Sequence, residues 1–221
     1  MSRSAPLIRT KNAIRQRVLR SRDILNRIRF GRRAPQYAER IWVNPKAVRH
    51  ALHGPGHYIA CSGRIASIEK HLKTVDLRST PRVSSCFAHW VDGVPWEETH
   101  DYAVTLKAVL DGKKWARSST EQELLERYRA LDRVFQETQD LGRLKTRQEL
   151  DPRTFREEGG VLICLGKNGE PLLYNGFHRF SIALILELPV IPAQLGYVDR
   201  TALHTLDRYR LPPADVPGAL V

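Results

Sequence analysis

Val161-Leu-Ile-Cys-Leu165, Lys167-Asn168-Gly169, Pro171-Leu-Leu-Tyr174, Asn175-Gly176-Phe177-His178-Arg179 and the run to Glu187 follow one another almost without interruption. Their order decides the fold. Two apolar runs around an Asn-Gly turn read as paired strands. Asn175 follows the second strand at once, and Asn is among the strongest N-cap residues. Phe177 to Glu187 is apolar on nearly every side, which predicts a buried helix. Leu188-Pro189 ends it, and Val190 to Leu195 is the next strand.

The first turn of that helix carries the chemistry. Its free backbone N–H groups and positive dipole end attract an anion, and Gly176 lets a ligand approach the backbone. His178 and Arg179 add positive charge where the dipole already disfavours it, so a phosphate is the natural partner. The competing reading pairs His178 and Arg179 with acidic neighbours elsewhere in the fold.

Gly-Phe-His-Arg between two strands, followed by Ile-Ala and a Leu-Pro-Val-Ile-Pro strand, resembles the D-G-H-H-R signature of the ParB/sulfiredoxin superfamily. The resemblance covers Gly159 to Val198, and the helix from about residue 119 would complete the domain. It implies a turn that binds nucleotide phosphates. Members include CTP-hydrolysing partition proteins, ATP-dependent sulfiredoxins, free-serine kinases and proteins described as nucleases. Phe177 stands where sulfiredoxins place their reactive cysteine, which excludes sulfinic-acid reduction. Only 23 residues follow Val198, too few for the helix-turn-helix module of the partition proteins. Asn175 stands where the kinases carry an acid, so a catalytic carboxylate would have to come from Glu149, Asp151, Glu157 or Glu158. Residues 34–45 and 86–102 also resemble blocks of uncharacterised proteins with this core, and that similarity implies no function.

Charge is distributed unevenly. The formal net charge is +12, and the first forty residues, with eleven arginines and Lys11 against Asp23 and Glu39, carry +10 of it. Ile14, Val18, Leu25 and Ile28 fall on one face of a helix there, with arginines mostly elsewhere, and Gly31 and Pro35 end it. Such an arm suits nucleic-acid phosphate, an anionic lipid surface, or docking of its apolar stripe on the body. A transit peptide is a further reading, against which Asp23 and the lack of a cleavage point speak.

With 221 residues, 42% of them apolar, the chain can bury a core. No run is long and apolar enough for a membrane span. Cys61, Cys86 and Cys164 form no disulfide framework and no paired metal knuckle, which predicts a reducing compartment and hence the cytoplasm. Cys86-x-x-His89 reads as a buried thiol beside an unrelated histidine. His50, His53 and His57 around Gly-Pro-Gly read as a solvated loop rather than a metal site.

The remaining elements are read in chain order. Residues 34–43 form a short helical piece leading into a strand that Pro45 stops. Tyr58 to Cys61 and Arg82 to Val91 read as strands, with Asp92-Gly93 closing a hairpin that pairs Trp90 with Trp96. Trp96 to Tyr102 opens a helix with Tyr102, Leu106, Val109 and Leu110 inward, ending near Gly112; Glu97, His100 and Asp101 read as its acidic cap rather than as a catalytic or metal group. A longer helix starts at Ser119-Thr120 with Glu123 placed for a capping box and runs to about Asp140, with Leu124, Tyr128, Leu131 and Phe135 as its seam. The charged stretch from Arg143 to Glu158 has no apolar period and reads as a lid over the phosphate turn.

The expected architecture is α+β: a small mixed sheet with a strand-turn-strand-helix-strand core of the ParB/sulfiredoxin type. A basic arm (1–33), an α/β portion (34–118), the phosphate-binding core (119–200) and a tail (201–221) follow in order. The expected function is binding of a nucleoside triphosphate, ATP or CTP with Mg²⁺, and its hydrolysis or phosphoryl transfer to a small acceptor. Asn175, Gly176, Phe177, His178 and Arg179 would bind the nucleotide, and His178, Glu157, Glu158 and Asp151 are the candidate catalytic residues. A nucleic-acid-binding protein or nuclease using the arm, and a non-catalytic scaffold or anion sensor, are the alternatives.

Overall fold

The structure, a computed structural model, describes residues 21–54, 61–67, 72–112 and 118–212. Its centre is β4 (Leu162–Leu165), a four-residue strand buried along its whole length. Ile163 and Leu165 point to one face of the sheet and Leu162 and Cys164 to the other, as the period of two requires. The Lys167–Gly169 turn returns the chain into β5 (Pro171–Asn175), antiparallel to β4. Helix α6 (Phe177–Ile185) follows, and β6 (Ile191–Val198) then lies parallel to β4 on its other side. The order strand, turn, strand, helix, strand matches the expectation for these residues.

Three strands from the first half of the chain complete the sheet: β1 (Arg40–Val43), β2 (His50–His53) and β3 (Lys73–Asp76). The order is β1-β6-β4-β5-β2-β3, with antiparallel pairs β1–β6, β4–β5 and β2–β3 and parallel pairs β4–β6 and β2–β5. Residues of the 34–118 and 119–200 portions thus share one mixed sheet in an α+β fold.

One face of the sheet is covered by α6, by α2 (Pro81–Trp90) and by a 3-10 helix (Arg200–Tyr209), around a core that includes Ile41, Ala51, Ile163, Leu173, Phe180, Ile191, Leu195 and Leu206. A second layer on the far side of α6 holds α3 (His100–Leu110) and α4 (Glu121–Leu141), which meet α2 around Cys86, Trp96, Tyr102, Leu124 and Tyr128. The opposite face of the sheet buries Leu52, Cys61, Leu162, Cys164, Leu172 and Tyr174.

Several expectations need correction. Arg82 to Val91 is not a strand: residues 81–90 form α2, with Thr80 as N-cap and Pro81 in the first turn. Proline is well placed there because its missing N–H has no intrahelical partner anyway. Val83, Cys86, Phe87 and Trp90 follow helical spacing, and the first two are fully buried. Trp90 and Trp96 do meet, edge to face at 5.2 Å, but across the end of a helix rather than a hairpin. Trp96–Glu98 is a separate 3-10 turn, α3 begins at His100, and Leu110 is 71% exposed rather than inward. His50 and His53 bracket β2 instead of lying in a loop, while Ala51 and Leu52 between them are buried. His57 and most of the expected strand at 58–61 fall outside the described residues, and Cys61 is not in a strand.

The helix predicted from Ser119 is present. Thr120 accepts from the Glu123 N–H, the Glu123 carboxylate reaches the Ser119 N–H, and Gly142 ends the helix in the left-handed conformation. The segment from Arg143 to Glu158 is not a free lid. It contains a one-turn helix, α5 (Arg147–Leu150), closed by a Thr146–Glu149 capping box. Glu157 is fully buried within it.

Of the basic arm, residues 21–33 are described, and 21–30 are helical (α1). Docking of the apolar stripe on the body is one of the alternative readings; in the described part of the arm, polar side chains make the hydrogen bonds to the body, and Leu25 and Ile28 are exposed. Asp23 accepts from the Tyr37 N–H at 2.7 Å and from Arg156 at 3.2 Å. Asn26 donates to the Pro35 and Gly63 carbonyls at 2.8 Å each. Ile14 and Val18 lie outside the described residues.

Candidate functional site

Helix α6 starts without a capping side chain. Its N-cap is Gly176, in the left-handed region at φ 82°, and its first turn contains no acidic residue. The expected cap, Asn175, is instead the last residue of β5. The chain must reverse tightly between strand and helix, and the left-handed residue that does this takes over the N-cap position. A Cβ on Gly176 would sit 2.9 Å from the Val161 Cα, so glycine is required for close packing as well as for conformation. The first hydrogen bond of the helix runs from the Phe180 N–H to the Gly176 carbonyl, which leaves the amides of Phe177, His178 and Arg179 without intrahelical acceptors.

His178 does not face outward alone. Its Nε2 lies 3.1 Å from Asp101 Oδ2, an oxygen that also accepts from the Tyr128 hydroxyl at 2.8 Å. Arg82 Nε approaches the other carboxylate oxygen at 3.5 Å, and the Asp101 N–H donates to Ser85 Oγ. Four helices converge here: α2 supplies Arg82 and Ser85, α3 Asp101, α4 Tyr128 and α6 His178.

Exposure rises across the cluster, from 8% for the Asp101 side chain through 13% for His178 to 36% for Arg82, whose guanidinium also stands 5.8 Å from the Phe177 ring centre. Burial pushes the Asp101 pKa up. The hydrogen bond and charge of His178, the Tyr128 hydroxyl and the Arg82 charge outweigh that and hold the carboxyl below its usual range. Burial and the Asp101 charge drive the Tyr128 phenol well up, so it stays a donor.

Beneath this cluster, burial pushes the Cys86 thiol up to about 12, with the Ser181 hydroxyl opposing and the Asp101 charge adding to the shift. A thiol held protonated is no nucleophile. Cys86 and His89 diverge: the His89 ring stacks on Trp96 at 4.1 Å and its Nδ1 lies 2.7 Å from the Val94 carbonyl. Asp132 Oδ1 gathers three nitrogens, His89 Nε2 at 3.1 Å and the indole N–H groups of Trp90 and Trp96 at 3.0 Å each.

Arg179 turns the other way, beneath the 143–158 segment. It donates to the Lys145 carbonyl at 2.7 Å; burial lowers its pKa, and the Glu157 charge opposes that shift. Glu157 accepts from Arg40 at 2.8 Å and from the Arg147 N–H at 2.9 Å, while its own N–H reaches the Ala38 carbonyl. Glu158 is half-buried and its carbonyl accepts from Arg147. Asp151 is exposed and accepts from the Arg153 N–H at 3.0 Å in its own turn. Glu149 takes both guanidinium NH₂ groups of Arg143, and those bonds with the Thr146 contacts hold it down to about 2.

The strand-to-helix junction lies where sequence spacing put it, with the cap one residue later at Gly176, and the carboxylate that meets His178 is Asp101, 77 residues away. Arg82 and Tyr128 were the other omissions. The one local signal for Asp101 was its place in the acidic opening of a helix, which capping alone explains.

No family model, curated protein or solved structure matches the chain. No described helix is long and apolar enough to cross a membrane.

Proposed function

We propose that the chain binds a nucleoside triphosphate at the start of α6 and cleaves or transfers its terminal phosphoryl group. The observation that carries this reading is the first turn of α6, which has no capping side chain and no acidic residue of its own, is entered through a left-handed glycine, and meets one carboxylate, Asp101, already engaged by His178, Tyr128 and Arg82. Backbone amides at a helix start hold phosphate oxygens, and Arg82, partly exposed beside Phe177, supplies a guanidinium to the same side. The resemblance of Gly176 to Arg179 to the ParB/sulfiredoxin signature supports the same ligand class.

The chain's own residues divide the work. Asp101 orients His178 through Nε2, which leaves Nδ1 to exchange a proton with an attacking or leaving oxygen. Arg179 has a different task from the one its motif position implies: it fastens α6 to the Lys145 carbonyl. The carboxylates nearby do not fit a resident divalent cation, because Glu157 is committed to Arg40, Glu149 to Arg143, and Asp101 to Tyr128, His178 and Arg82. Mg²⁺ would therefore enter as the nucleotide's own counter-ion.

Thermal shift with ATP, CTP, GTP and ADP, each with and without Mg²⁺, tests the reading. A ligand at about a hundred times its dissociation constant adds roughly 2.7 kcal/mol of stability. One nucleotide should produce a clear shift in the wild type and none in Arg82→Ala. Absence of a shift with every nucleotide, or equal shifts in both proteins, overturns it.

A further inference from the structure

The described part of the arm combines two features that soluble surfaces rarely put side by side. Ile24, Leu25 and Ile28 are 61%, 53% and 74% exposed, although they lie on one face of a helix whose orientation is fixed. The fixing contacts lie on the opposite face, through Asp23 and Asn26, so the apolar residues are held outward. Arg27 and Arg29 flank the apolar face and are exposed, as is Arg32 just beyond the helix. Beside Ile24 and Ile28 opens a cleft of about 540 Å³, lined also by Phe155, with Arg27 and Arg156 among its walls.

We infer that α1 is an interfacial anchor that seats this chain on an anionic phospholipid bilayer. Charge complementarity selects that occupant. Residues 21–33 carry five arginines against Asp23, and the twenty residues ahead add six basic side chains and no acid. Nucleic-acid phosphate would be served by the arginines alone and would leave three branched apolar side chains facing water. A bilayer surface takes both: the aliphatic side chains enter the acyl boundary and the arginines meet lipid phosphates. The anchor is independent of the nucleotide reading, since neither Arg82 nor His178 takes part.

The experiment is co-sedimentation of the full-length chain with vesicles of phosphatidylcholine, alone or mixed with phosphatidylglycerol. Two variants accompany it, Ile24→Ser/Ile28→Ser and Arg27→Gln/Arg29→Gln. Both alter exposed side chains, and circular dichroism verifies that each remains folded. The wild type should partition at least about tenfold more strongly onto the anionic vesicles, and each variant should lose about tenfold of that binding. Three results overturn the inference: no binding to anionic vesicles; loss in the arginine variant but none in the isoleucine variant, which would mark an electrostatic surface suited to nucleic acid; or a dimer that dissociates on Ile24→Ser/Ile28→Ser without any lipid binding, which would make this face a contact between two copies.

Discussion

His178 on α6 and Asp101 on α3 meet at 3.1 Å, and the oxygen that joins them is shared with the Tyr128 hydroxyl. One carboxylate therefore holds three helices in register and presents an imidazole at the start of the helix whose amides are free.

This arrangement predicts acid sensitivity with a definite sign. The pKa of Asp101 in the folded chain lies below the ordinary value of 3.8, so its contribution is fully present above that value and is lost as pH falls through the lower, folded one. Asp101→Ala should cost about 1–3 kcal/mol at neutral pH, because buried donors lose their acceptor. In urea titrations the gap between wild type and variant should close below pH 3.8. A gap that stays constant to lower pH would show that the carboxylate charge is not what stabilises the cluster.

Glu149 supplies a second acid-labile contact, in the 143–158 segment. Its folded pKa of about 2 against an ordinary 4.5 means that the Arg143 and Thr146 contacts weaken between those values. Amide exchange in residues 147–151 should accelerate over that interval in the wild type and be fast throughout in Glu149→Ala. Uniform protection across the interval would count against the assignment.

Arg179→Ala should behave as a stability variant, with unfolding free energy falling by about 1–2 kcal/mol because the partly buried Lys145 carbonyl loses its donor. Calorimetric nucleotide affinity, compared at a temperature where both chains are folded, should stay within a few-fold of the wild type. Loss of nucleotide binding without loss of stability would return Arg179 to the phosphate site.

Asp132→Ala removes the acceptor shared by His89, Trp90 and Trp96. The carboxylate is 40% exposed, so water replaces part of the interaction and the expected cost is about 1–2 kcal/mol. Tryptophan emission should change as the indole N–H groups take water as acceptor. Unchanged emission would mean that the carboxylate is not their partner in solution.

Local signals made four of the six strands legible, the one that Pro45 stops being β1. Val161 to Val198 carries its turn, helix and strand boundaries in consecutive residues, and Thr120, Glu123 and Gly142 delimit α4 by capping chemistry alone. Short-range signals failed where two periods overlap. Val83, Phe87 and Val91 satisfy a strand pattern in the same run where Val83, Cys86, Phe87 and Trp90 satisfy a helical one, and Thr80-Pro81 tips the balance to helix. At Asn175 the intrinsic capping preference lost to the chain reversal, which needs a left-handed residue one position later. Asp101, Arg82 and Tyr128 were invisible as partners of His178, because only the packing of four helices brings them together. The arm shows the same limit: its amphipathic pattern was plain, but its outward apolar face depends on where Asp23 and Asn26 find acceptors and donors on the body.

The strand order has a consequence for biosynthesis. β1 and β2 leave the ribosome within a few residues of each other, yet β6, β4 and β5 separate them in the sheet. Among the described residues β1 pairs with β6 alone, so Arg40 to Val43 must wait for Ile191 to Val198 to be made. Closing a loop that long is entropically costly and slow compared with local pairing. Throughout that interval Ile41 and Val43, both destined for the core, have no strand to cover them. A nascent chain stopped before residue 191 is accordingly the species most exposed to aggregation, and the one on which a ribosome-bound chaperone has most to do.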